Sequence, residues 1–270
     1  MERVSRAFRL LGASWQVLKA DKELLLLPVM SMLAIIVVTA SIAGAGWASG
    51  FGRERETLTA IDYVFLFVFY FVTYFIAIFF NAAVVGAATI RLQGGNPTIG
   101  DGLRLARSKI GKIAGWAAVA ATVGLILRSL EERAGFLGRI VIAIIGAAWG
   151  AITFFVVPVL LYEPVGVTDG VKRSASIFKQ RWGETFVGNA AIGVALFLVA
   201  LPFIGIGALI ATVAMPVGIV IIVLSVAIIG AVGTAMTGIF NAALYRYATT
   251  GEAGGPFSTT DLQAAFKPKR

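Results

Sequence analysis

The sequence predicts an all-α polytopic membrane bundle of six transmembrane helices, arranged as three hairpin repeats, each preceded by a basic amphipathic helix lying at the membrane surface. Three observations carry this. The stretch from Thr185 to Tyr245 runs 61 residues without an Asp, Glu, Lys or Arg. A hydrocarbon layer about 30 Å thick takes roughly 20 apolar residues per helix, and a charge at its centre costs about 2.5 to 3.5 kcal/mol on the insertion scale, so this stretch must cross more than once. Apolar residues make up 59% of the chain and charged ones 14%, against roughly 45 to 50% and 25% in soluble domains. The basic residues, finally, collect in alternate connections.

Taken in order, the first element is a basic amphipathic helix. Val4, Phe8, Leu11, Trp15 and Leu18 recur at helical spacing with Arg3, Arg6 and Arg9 on the other side, a pattern that lies in the headgroup plane. The first apolar run, 24–47, is of full spanning length and its basic prelude is long. The small-residue run from Ala40 to Gly44 is therefore read as helix and not as a signal cleavage site. Run 61–90 closes the first hairpin. Leu103, Ala106, Ile110 and Ile113, opposite Arg104, Arg107 and Lys112, form a weaker second surface helix opened by Asp101-Gly102-Leu103, where the Asp can cap the N-terminus. Runs 113–128 and 139–162 make the second hairpin.

Asp169-Gly170-Val171 opens the third surface helix, in which Val171, Ala175, Phe178 and Trp182 repeat the offsets of the first, opposite Lys172, Arg173, Lys179 and Arg181. Runs 185–201 and 217–247 form the third hairpin. Between them Pro202 and Pro216 bracket Phe203 to Met215, read as a re-entrant segment, an interfacial segment or a seventh crossing. The expected organisation is one integral domain over 1–250, with units at about 1–90, 98–163 and 169–248, and a polar tail over 251–270. The even-numbered runs share a register: Phe79-Phe80-Asn81-Ala82-Ala83 recurs as Ile239-Phe240-Asn241-Ala242-Ala243, with Phe154-Phe155-Val156-Val157-Pro158 between them. Such repetition arises from hairpin duplication, or builds a pseudo-symmetric pore or carrier.

With the N-terminus assigned to the cytoplasm, 18 of the 23 basic residues fall inside. They lie in the N-terminal stretch, the 91–112 and 172–181 connections and the tail. Only Arg53, Arg55, Arg128, Arg133 and Arg139 fall outside, beside Glu54, Glu56, Asp62, Glu131 and Glu132. The positive-inside rule then places both termini in the cytoplasm. The net charge of +9 sits on one face, which reads as attraction to anionic headgroups and not to nucleic acid.

Several chemistries are excluded by what is missing. The chain has no Cys and no His, which removes disulfides, thiolate sites, the commonest metal ligand and the usual general base. It carries no phosphate-binding GxxxxGK[ST] loop, no HExxH and no GxSxG. No ionisable residue lies near the middle of a proposed crossing, where ion-coupled transporters keep their relays. Neither enzyme activity nor a cofactor or metal is expected. A channel built from backbone carbonyls escapes this test.

The candidate headgroup contacts are Arg6, Arg9, Trp15, Arg104, Arg107, Lys172, Arg173, Lys179, Arg181 and Trp182. Asn81 and Asn241 are the intramembrane polar candidates. They either bridge helices, at about 0.6 kcal/mol for such a bond, or line a polar path. Gly111 to Gly115, Gly146 to Gly150, and the stripe Gly230, Thr234, Gly238, Ala242 read as close-packing faces. Glu163 reads as a solvated helix-end acid, with pairing to the basic helices as the alternative. Asp62 and Glu131-Glu132-Arg133 read as outer loop residues.

Leu24-Leu25-Leu26-Leu27-Pro28 after Lys22-Glu23, Phe79-Phe80-Asn81-Ala82-Ala83, the Gly95-Asn96-Pro97-Thr98 to Asp101-Gly102-Leu103 loop, Ala121-Thr122-Val123-Gly124-Leu125 and Phe154-Phe155-Val156-Val157-Pro158 occur in this order. Together they resemble an uncharacterised six-helix family of bacterial and archaeal membrane proteins, over roughly residues 1–250. The resemblance implies a multi-pass inner-membrane protein and transfers no catalytic residue. The functional expectation is a non-enzymatic membrane protein that interacts with lipid or serves as a scaffold or accessory subunit. The alternative is a channel or facilitator for a small or lipidic molecule. Membrane lipids with anionic headgroups are the expected partners, and a protein partner or homo-oligomer is left open.

Overall fold

Residues 2–49, 60–180 and 185–264 are described by a computed structural model. Arg53, Arg55, Glu54, Glu56, Arg181, Trp182, Lys267, Lys269 and Arg270 lie outside the described residues, as do the side chains of Arg3, Val4 and Arg6. Among the described residues six helices are long and apolar enough to cross a membrane. α1 (Glu2–Ala20) ends at Asp21, where a 3-10 turn over Lys22–Leu25 redirects the chain into α2 (Leu26–Ser49). Pro28 stands in the first turn of α2, where its missing N–H costs nothing. α3 (Ala60–Leu92) returns, and its 33 residues make about 50 Å of helix, longer than the hydrocarbon layer is thick. It stops at Gly94, whose φ of 87° suits glycine and whose N–H donates to Arg91 O at 2.9 Å.

α4 (Ile99–Ser108) follows. Its N-cap is Thr98 and not the expected Asp101: Asp101 N–H donates to Thr98 Oγ1 at 3.2 Å while Thr98 N–H donates to Asp101 Oδ2 at 3.0 Å. This reciprocal pair is a capping box, and it places the acid in the third helical position, where its charge also favours the helix N-terminus. α5 (Ile110–Arg133) and α6 (Phe136–Ile152) are joined only through Ala134 and Gly135. α7 (Val156–Tyr162) completes the fourth crossing, and α8 (Val167–Gln180) lies beyond it.

The last hairpin differs from expectation. α9 (Thr185–Ala211) runs straight through Pro202, and α10 (Met215–Thr250) begins three residues later. Residues 203–211 thus complete the fifth crossing and do not form a separate segment, and Pro216 occupies the first turn of α10. Within an apolar environment a mid-helix proline is tolerated when neighbouring groups absorb the freed carbonyl, so Pro202 is a poor boundary marker here. The two helices meet at two glycines: a Cβ built on Gly218 would stand 2.4 Å from Gly207 O.

Packing is concentrated at one end of the bundle. The fully buried side chains Val84 and Val85 of α3, Phe155, Val156 and Val159 around α7, and Ile239, Phe240 and Leu244 of α10 form its centre. α1, α4 and α8 pack around them. α4 approaches α3 through Gly102, where a Cβ would fall 2.5 Å from Ala83 O, and α8 approaches α7 through Gly170, where one would fall 2.9 Å from Leu160 Cδ2. Away from this end large side chains face outward, among them Ile36 at 62%, Ile144 at 63% and Val223 at 58% exposure. So extensive an apolar surface suits acyl chains, not water. Of the expected small-residue faces, Gly238 packs on Val84 and Gly230 on Met32, whereas Gly111 and Gly150 meet nothing within 4 Å. Spacing alone marks a face that permits close approach, not one that receives it.

Residues 251–264, expected as part of a polar tail, fold back on the packed end. Gly251 takes φ 76° to end α10, Gly254 lies against Leu92, with a built Cβ 2.6 Å from its carbonyl oxygen, and Phe257 and Leu262 are buried at 4% and 0%. α11 (Thr259–Ala264) thereby covers α1. Two apolar anchors were enough to dock a segment whose average composition is polar.

Candidate functional site

The end of the bundle that carries α1, α4 and α8 is the chemically distinctive surface. On α1 the residues turned inward are Leu10, Ala13, Ser14, Val17 and Leu18, while Phe8 and Trp15 are exposed at 59% and 40%. Of the expected stripe Leu18 is buried and Leu11 partly so, while its two aromatics face out, with Lys19 Nζ 5.6 Å from the Trp15 ring centroid. Arg104 and Arg107 on α4 and Lys172 and Lys179 on α8 are likewise exposed. Some of this charge is locally balanced. Arg104 pairs with Asp101 at 3.2 Å and Lys172 with Asp169 at 3.1 Å, exposed pairs of little stabilising value. Arg9 pairs with Asp261 of α11 at 2.7 Å, a bond that raises the guanidinium pKa above its ordinary value.

Beneath this surface two ionic nodes tie the helices together. Glu163 is not a solvated acid. It accepts both 3.1 Å bonds from Arg173 Nε of α8 and a 3.0 Å bond from the Tyr245 hydroxyl of α10, and its backbone carbonyl accepts from Lys112 Nζ of α5 at 3.0 Å. One residue thus joins three helices to the end of α7. Asp21, at the α1–α2 junction, pairs with Arg91 at the end of α3, which also donates to Asn96 Oδ1 at 2.8 Å. The sequence carries only a faint signal for either node: an acid close to a helix end, with partners from 10 to 82 positions away in the chain.

The two asparagines have different surroundings. The fourth crossing breaks over residues 153–155, between α6 and α7. Pro158 has no N–H to give Phe154 O, four residues back. Asn241 Nδ2 of α10 donates to that carbonyl at 2.9 Å. Ser174 of α8 repairs the rest: its Oγ donates to Ile152 O at 2.6 Å and accepts from Phe155 N–H at 3.0 Å. Asn241 Oδ1 remains buried without a hydrogen-bond partner among the described residues. Asn81 instead lines a cleft of about 550 Å³ between α3, α9 and α10, beside Thr234 and Thr237.

At the opposite end of the bundle, Glu131, Glu132 and Arg133 form the last turn of α5 and are not loop residues, and Asp62 is buried at 7% in the first turn of α3. Arg128 donates to Glu132 Oε1 and to the Tyr70 hydroxyl, both at 3.0 Å. Among the described residues no group of three His, Cys, Asp or Glu side chains is placed to hold a metal ion.

Comparison with curated proteins and with solved structures finds no match. A family model does match, over residues 60–255. That interval takes in α3 to α10, the Glu163 node and the Ser174–Asn241 repair, and so covers most of the chain. The chain belongs to DUF6159, a family of unknown function.

Proposed function

We propose that this protein is a non-enzymatic integral membrane protein whose α1, α4 and α8 lie on the cytoplasmic face and engage anionic lipid headgroups, so that it acts in lipid interaction or as a scaffold or accessory subunit. The observation that carries the reading is the gathering of exposed Arg104, Arg107, Lys172 and Lys179 with exposed Phe8 and Trp15 at one end of a bundle whose middle turns large apolar side chains outward. Cations beside outward aromatics suit the plane where headgroups meet acyl chains. The 18 to 5 division of basic residues orients that end toward the cytoplasm of a prokaryotic inner membrane, with both termini inside.

The same reading makes the fold three related units, each a surface helix followed by a hairpin. Its support is the pair Gly102 and Gly170, which occupy the same place in Asp-Gly-Leu and Asp-Gly-Val and each let a surface helix close onto an even-numbered crossing. The test replaces Arg104, Arg107, Lys172 and Lys179 with Gln, sparing Arg173 because it belongs to the Glu163 node. Each cation near a charged surface is worth about 1 kcal/mol, and Asp101 and Asp169 already offset two of the four. Phosphatidylglycerol retained by the purified protein is expected to fall about thirtyfold at low salt. Retention equal to that of the unmodified protein would overturn the assignment.

A further inference from the structure

α3 and α5 lie close together at Gly124, where a Cβ would stand 2.9 Å from the Tyr74 hydroxyl oxygen. Beyond that point, toward the end opposite the surface helices, they separate around a cleft of about 660 Å³. Its deeper part is lined by Phe69, Tyr70, Leu125 and Ile126, with Arg128 at the level of Tyr70, and its outer part by Tyr63, Leu66, Glu132 and Arg133. Arg128 lies six residues before the α5–α6 turn, about 9 Å along the helix, which is headgroup depth and not the bilayer centre. Two of the N–H groups of Arg128 are engaged, by Glu132 and Tyr70, out of the five that a guanidinium offers. The cleft therefore passes from largely apolar to ionic over about 12 Å of helix, room for a headgroup, its glycerol and the start of an acyl chain.

We propose that this cleft seats one zwitterionic phospholipid with a primary-amine headgroup, in the leaflet opposite the basic helices. Arg128 and Arg133 supply N–H donors to the phosphate, and Glu132, which Arg128 leaves with free lone pairs, accepts from the ammonium. The start of an acyl chain lies along Phe69, Leu125 and Ile126. The alternation of charge sets the class. An anionic headgroup brings no cation to Glu132, and a quaternary ammonium brings one without an N–H to donate. The site shares no residue with the surface helices and stands independently of the anionic-lipid reading.

The test is native mass spectrometry of the full-length protein, delipidated and then offered equimolar phosphatidylethanolamine, phosphatidylglycerol and phosphatidylcholine of identical chains. Phosphatidylethanolamine is expected to be retained in preference at one site. Arg128→Gln with Arg133→Gln should lower that retention about tenfold, the loss expected when charge-assisted hydrogen bonds are removed, and should leave phosphatidylglycerol retained at the basic end unchanged. Ser129→Trp, which fills the cleft and keeps every charge, should cause the same loss. Equal or better retention of phosphatidylcholine by the unmodified protein, equal or better retention of phosphatidylglycerol once Arg104, Arg107, Lys172 and Lys179 are replaced with Gln, or unchanged phosphatidylethanolamine retention in either variant, would overturn the proposal.

Discussion

Replacing Asn241 with Leu probes how this bundle compensates for a broken crossing. The two side chains share a branched shape and Leu is the bulkier, so the change removes polar atoms without opening a cavity. A hydrogen bond between membrane helices averages about 0.6 kcal/mol, the cost expected if Asn241 were an ordinary bridge. Here the acceptor is a carbonyl that Pro158 has already deprived of its helical donor, and an orphaned buried acceptor costs about 1 to 3 kcal/mol. Removing the partnerless Asn241 Oδ1 returns part of that. The net expectation is about 1 to 2 kcal/mol. Pro158→Ala restores an N–H four residues from Phe154 O, so Asn241→Leu should cost less in the Pro158→Ala background. A double-mutant cycle of detergent-solubilised protein, followed by thermal melting, measures the difference. Equal costs in both backgrounds would refute the reasoning, as would a neutral Asn241→Leu in the parent.

Three further outcomes follow from the geometry. Gly102→Ala drives a Cβ to within 2.5 Å of a backbone oxygen and should cost about 1 to 3 kcal/mol by overpacking. Gly111→Ala meets nothing within 4 Å and should gain up to about 1 kcal/mol of helix propensity, so the two melting temperatures should move in opposite directions. Asp101 is held below its ordinary pKa of 3.8 chiefly by bonds from the Thr98 side chain and backbone; its contribution is thus complete above that pH and fades as pH falls through the lowered value. The stability gap between the unmodified protein and Asp101→Ala should be constant from neutral pH to about pH 5 and close in stronger acid, which melting curves across that range would show. Glu163→Gln weakens the Arg173 and Tyr245 contacts together, and its melting shift should shrink when Arg173→Gln is already present.

Most of the fold was legible because its strongest signal, a long run without charge, depends only on the solvent that surrounds it. Hydropathy cannot distinguish a side chain packed on protein from one bathed in lipid, since both environments reject water. That is why Phe8, Leu11, Trp15 and Leu18 read as one apolar stripe on α1, although Phe8 and Trp15 are exposed and the buried face is centred on Leu10, Ala13 and Val17. Pro202 misled for a related reason: in water a mid-helix proline ends a helix, and in a bundle it need not. The Asn241–Phe154 and Arg173–Glu163 contacts join residues 87 and 10 positions apart. The bond to Phe154 was the less legible, because it depends on Pro158 having emptied one particular carbonyl, which no local pattern announces. Phe257 and Leu262 were hidden by a polar average that their own burial contradicts.

The account rests on a basic end that faces the cytoplasm with an even number of crossings, and cysteine accessibility tests this most directly because the chain has no native Cys. Ser108→Cys on α4, Ser258→Cys beside α11 and Ser49→Cys at the far end of α2 are each treated with an impermeant thiol reagent in intact cells and after permeabilisation. The account expects Ser49→Cys to react in intact cells, and Ser108→Cys and Ser258→Cys to react only once the membrane is opened. Reaction of Ser258→Cys in intact cells while Ser108→Cys stays shielded would contradict the even count, and reaction of both with Ser49→Cys shielded would contradict the orientation.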